Sequence, residues 1–122
     1  MDIIQSDSGS QRNLSAMLEG YDCPAILVST NYEILGYNSE YRDAFGALEL
    51  DQQPSCFSVS HGYDVPCDQA GESCPLSAAL LSKRKERVLH IHQTPHGKEH
   101  VDVEMLPIFD DQQQLLFFVE LL

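Results

Sequence analysis

Basic residues are scarce in this sequence: 7 lysines and arginines stand against 19 aspartates and glutamates, a formal net charge of -12. Binding to nucleic acid or to an anionic membrane draws on neutralised phosphates, so this excess of acid disfavours both. Long apolar runs are missing as well. No stretch approaches the ~20 residues that a membrane-spanning helix requires, and the start, Met1-Asp2-Ile3-Ile4, lacks the basic residues of a secretory signal. The expectation is a cytoplasmic domain without membrane insertion. Also absent are a glycine-rich phosphate loop, a His-Glu-x-x-His helix and a Gly-x-Ser-x-Gly elbow, so no enzyme activity is expected of this domain. Cysteine occurs only four times. Without an export signal, reduced thiols or a metal site are favoured over disulfides.

What is present suits one globular domain. The chain has 122 residues, 43% hydrophobic and 21% charged, enough to bury a core without covalent staples. Residues 1–10 are small and polar with no apolar period and read as a flexible tail. The domain is expected over 11–122.

Periodicity orders the rest. Leu14, Met17 and Leu18 recur at helical spacing before Gly20. Residues 25–30 form a continuous apolar run suited to a buried strand, and 33–37 suit its return. Asn38 or Ser39 caps a helix presenting Tyr41, Ala44 and Phe45, which Gly46 ends. From 47 to 73 prolines and glycines interrupt any period, so loop with short helical turns is expected. Pro75 then opens a helix carrying Leu76, Ala79 and Leu80. Strands follow over 87–94, 100–109 and 115–122, the last apolar enough for a central or doubly covered position.

This order resembles the PAS fold, an α+β five-stranded antiparallel sheet with helices packed on one face. The residues that carry the resemblance are Ile34-Leu-Gly-Tyr-Asn38 followed by Tyr41 and Phe45-Gly46, the strand Glu104-Met-Leu-Pro-Ile-Phe-Asp110, and Phe118-Val-Glu120 near the end. The resemblance implies a sensory input module of a larger bacterial-type regulator. Such modules bind a small ligand or cofactor, or form a homodimer, to control an attached output domain such as a histidine kinase, a diguanylate cyclase or a transcription activator. The pocket it implies lies between sheet and helices, lined by Ile26, Val28, Leu35, Phe45, Leu80, Leu89, Val103 and Phe118. A filled interior with dimerisation alone is the alternative.

The central loop reads Cys56-x4-His61-Gly62-x3-Pro66-Cys67-x6-Cys74-Pro75, similar to one subgroup of PAS domains but with a wider gap before its last cysteine. Three thiols and one imidazole form a full tetrahedral set for zinc, and the same donor types hold iron–sulfur centres. Cys56, His61, Cys67 and Cys74 are therefore the candidate metal ligands. Buried thiols without metal and a reversible disulfide are the other readings of the same residues. Cys23, far along the chain from these, reads as core-lining. His90 and His92 share one face of a strand, with His100 on its neighbour. They are expected on the solvated face, as are Asp102 and Glu104.

Overall fold

The computed structural model describes residues 14–61, 64–65, 69 and 74–122, without the side chain of Gln93. The tail expected over 1–10 and the loop residue Cys67 lie outside the described residues. One antiparallel sheet runs in the order β2-β1-β5-β4-β3. Its strands are β1 (Ala25–Val28), β2 (Ile34–Tyr37), β3 (Glu86–Thr94), β4 (Gly97–Phe109) and β5 (Leu115–Leu121). The least alternating strands, β1 and β5, sit side by side in its middle. Both of their faces are covered, which removes the need for a polar side.

Three helices, α1 (Ser39–Phe45), α2 (Cys56–His61) and α3 (Pro75–Ser82), cover one face. Tyr41, Cys56, Leu76 and Ala79 from these helices bury Ile26, Val28, Ile34, Met105 and Phe118 of the sheet. A helical turn over 14–17 continues as a 3-10 turn, Leu18–Gly20, and covers the opposite face. There Leu18 closes over Ala25, Leu27, Leu35, Phe117 and Val119. The fold is thus the expected α+β sheet with its helices on one side, and a short N-terminal turn on the other. Among the described residues no helix is long and apolar enough to cross a membrane.

Asn38 joins the two layers. Its Oδ1 accepts from the Tyr41 amide at 2.9 Å, capping α1, and from the Ala25 amide at 3.0 Å. Its Nδ2 donates to the Leu18 and Cys23 carbonyls, each at 3.0 Å. A buried amide is tolerated because all these groups would otherwise be unpaired.

The central stretch carries a 3-10 turn at Leu50–Gln52 and then α2, in keeping with short helical turns. The β3–β4 hairpin is tighter than expected. Its strands run to Thr94 and from Gly97, leaving Pro95 and His96 as the turn. Gly97 has a φ of 103°, a value that favours glycine and lets the strand begin directly.

Candidate metal centre

The hairpin register decides which face of β3 looks inward. His90 pairs with Val101 and Val88 with Val103, and directly paired residues share a face. Val101 and Val103 are buried, so His90 and His92 turn inward too, only 4% and 2% exposed. This corrects the expectation of a solvated pair: α2 and α3 roof this part of β3 and β4. His100 pairs with Ile91 on the other face and is exposed, as is His96 in the turn. Asp102, also on the outer face, is exposed and bonded to Arg87, which holds its carboxyl below the usual range.

The third imidazole comes from α2, whose last residue is His61. His61 Nε2 lies 3.2 Å from His90 Nδ1. The His61 and His92 ring centres are 4.6 Å apart and those of His90 and His92 5.6 Å. One ring nitrogen from each of the three falls within 4.8 Å of the other two. Burial, with His61 and His90 alongside, pushes the His92 pKa down to about 3. It is therefore neutral near pH 7, the form that ligates metals.

Glu120 approaches from the centre of the sheet. On β5 it pairs with Met105 on one side and Ile26 on the other, which aims it at the helices. It is 4% exposed, and its Oε2 has no hydrogen-bond partner among the described residues. Burial raises its pKa to about 7. The phenol of Tyr41 is pushed up by its own burial and by Glu120 and Cys56 nearby.

Glu120, Met105 and the three histidines border one cavity of about 10 Å³, closed by Cys56, Ser60, Cys74, Pro75 and Leu76. That volume accepts one water or one ion, whereas organic ligands occupy several hundred Å³. Larger depressions lie elsewhere. An open groove of about 630 Å³ runs past Tyr37, Arg42 and Leu50. An apolar one of about 170 Å³ separates the N-terminal turn from Phe117 and Val119.

The residues singled out in the sequence are distributed unevenly around this site. Of the four candidate ligands, His61 stands in the converging group. Cys56 and Cys74 line the cavity wall, but neither thiol belongs to the group of converging atoms. Cys74 Sγ instead accepts from the Ser77 amide at 3.5 Å at the start of α3. Cys67 lies outside the described residues. Ile26, Val28 and Phe118 belong to the helix-side core, Phe45 packs against it, and Val103 is fully buried.

Leu35, Leu80 and Leu89 are placed differently from the expected pocket lining. Leu35 packs on the opposite face of the sheet. Leu80 and Leu89 are 42% and 64% exposed. Leu80 follows the inward Ala79 by one position on α3, which rotates it outward. Leu89 has the opposite parity to the inward histidines of β3. Cys23, expected to line the core, is half-buried before β1.

No family model and no curated protein matches the sequence. Solved structures do match. The PAS domain of a protein from Colwellia psychrerythraea superposes with a TM-score of 0.65 at 14% identity, covering 93% of each chain. The PAS domain of the fruit-fly ELK potassium channel gives 0.64 at 14% identity, covering 90% of this chain and 92% of that one. Vibrio cholerae VqmA, described as a dimer in the absence of its target DNA, gives 0.64 at 14% identity. That match covers 87% of this chain and 48% of VqmA. At such identities the likeness is one of architecture, and with the strand order and helix placement it makes this fold the PAS fold.

Proposed function

We propose that this domain is the signal-input module of a larger regulator, and that the cavity between α2, β3 and β5 is where it reads its signal. One observation carries the reading. His90, His92 and Glu120, with the half-buried His61 beside them, occupy positions in the helix-side interior that stability alone would give to apolar residues. Ionisable groups perturbed by burial around a shared cavity are a physical mark of functional sites. Glu120 belongs to the central strand, so a change at the cavity reaches β1 and β4 through the hydrogen-bond ladders on both sides.

The attached output is proposed to be a histidine kinase, a diguanylate cyclase or a transcription activator, and the site of action cytoplasmic. The domain itself is proposed to carry no enzyme activity. A homodimer is supported by the outer face of β3, where Leu89 and Ile91 are 64% and 45% exposed side by side. The VqmA neighbour is itself described as a dimer.

The test joins the domain through Leu122 to a diguanylate cyclase and measures its output. Substituting His92 or Glu120 by Gln should shift the output, while Lys98→Ala at the exposed hairpin should leave it unchanged. Equal output from all four proteins would overturn the reading.

A further inference from the structure

We propose that His61, His90 and His92 bind one divalent transition-metal ion of the zinc type inside the helix-side cavity, with Glu120, on the wall of the same cavity, as the anion that balances its charge. This deepens the signal-input reading by naming what enters the cavity, and it depends on that reading only for its regulatory meaning.

The geometry is close to what such an ion requires. Zinc–nitrogen bonds of about 2.0–2.1 Å set the edge of a tetrahedral site near 3.3 Å. His61 Nε2 and His90 Nδ1 are 3.2 Å apart. One ring nitrogen of each of the three histidines lies within 4.8 Å of the other two, so a bound ion would draw the His92 ring closer to the other two. The donors come from two elements, the end of α2 and the inner face of β3. An ion would therefore fasten helix to sheet.

Charge and space agree. A dication among three neutral imidazoles needs a compensating anion in so dry a site. Glu120 borders the same cavity, with a buried oxygen that has no other partner among the described residues. Glu120 is not one of the converging atoms, so it acts as the counter-charge across the cavity rather than as one of the ligands, and its loss weakens the site. The cavity of about 10 Å³ holds one ion. Imidazole donors with one carboxylate suit zinc, cobalt and nickel better than calcium or magnesium.

The experiment uses the whole 122-residue chain, stripped with chelator. Zn(II) binding is followed by calorimetry, Co(II) binding by visible absorption, and the five histidines by their imidazole NMR signals. The expected result is one ion per chain, the intense visible bands of four-coordinate cobalt, and shifts confined to His61, His90 and His92. The exposed His96 and His100 serve as internal controls. Glu120→Gln should weaken binding by about 10–100-fold, and His61→Gln or His92→Gln by at least as much, with circular dichroism confirming that each variant is folded. His61→Gln guards against a failure of His92→Gln to fold, since His61 is only half-buried at a helix end.

No stoichiometric binding would overturn the proposal. So would binding unchanged in His61→Gln, or cobalt–thiolate charge-transfer bands abolished by Cys56→Ser, which would move the ion to the cysteines. None of these outcomes affects the cyclase-output test of signal input, so the two readings fail separately.

Discussion

His61 and His90 meet nitrogen to nitrogen at 3.2 Å, although they stand 29 positions apart along the chain. One ring nitrogen donates and the other accepts, the roles being set by the tautomers. Their contact joins the end of α2 to the inner face of β3, beside a carboxyl on β5. The predictions below follow from that grouping of ionisable side chains inside an otherwise apolar layer.

Glu120 makes the stability of the metal-free domain depend on pH. Its folded pKa is raised from 4.5 to about 7, so the folded state keeps a proton that the unfolded state releases. That contribution is full below about pH 4.5 and is lost as pH rises through 7. The displacement corresponds to roughly 3 kcal/mol. Glu120→Gln should therefore raise stability at pH 8 by up to that amount and leave pH 4 nearly unchanged. Urea denaturation at both pH values checks this, and an equal effect at each would refute it.

His92 acts in the opposite sense. Its folded pKa is depressed from 6.5 to about 3, so the unfolded state binds the proton first on acidification. The stability of the neutral ring is present above pH 6.5 and is lost as pH falls towards 3. Between pH 4.5 and 6.5 the two slopes oppose each other. In Glu120→Gln protein with chelator present, acid destabilisation over this range should become steeper than in the parent. Thermal unfolding at half-unit pH steps measures it; an unchanged slope would count against the raised Glu120 pKa, and the absence of any acid destabilisation in the variant against the buried neutral imidazole.

Much of this arrangement was legible in the sequence, and the exceptions have physical causes. The five strands and the helices α1 and α3 follow from apolar runs, caps and turn residues, each a local property, whereas α2 lies in a stretch read as loop with short helical turns. Sidedness is not local. The alternation of Val88, His90 and His92 marks a face of β3, but only its pairing with Val101 and Val103 shows that this face is inward. Polarity alone pointed the histidines at solvent. Glu120 left a clearer trace, one acid within the apolar run of β5, a position where a carboxylate would have to be buried. The loop motif contains one of the three converging residues, His61, while Cys56 and Cys74 stand on the cavity wall and the other two nitrogens come from β3, which no loop motif contains.

Asn38 should be the most sensitive polar residue outside the cavity. Asn38→Ala removes the cap of α1 and leaves the Ala25 amide and two carbonyls without their partner. Loss of a cap together with buried hydrogen bonds should cost about 2–4 kcal/mol. The midpoint of urea unfolding reports it, and Asn38→Asp should recover only the part carried by Oδ1.

Leu89 and Ile91 offer a test of self-association. If their exposed face joins two copies, Leu89→Lys should convert a dimer to a monomer in sedimentation at micromolar concentration, with unfolding shifted little. A parent chain that sediments as a monomer would refute the dimer.

The placement of β5 between β1 and β4 also governs the order in which the sheet can be completed. Ala25 pairs with Leu121 and Val28 with Phe118, contacts spanning nearly the whole sequence. The β1–β2 hairpin and the β3–β4 hairpin are each made of neighbours, but nothing joins them until β5 slots between. Closing so long a loop is entropically costly, and topologies rich in such distant pairings reach their native state slowly. Until then β1 and β4 each keep an open edge able to accept a foreign strand. The strand that carries Glu120 to the cavity is thus also the one that closes the inner edges of both hairpins.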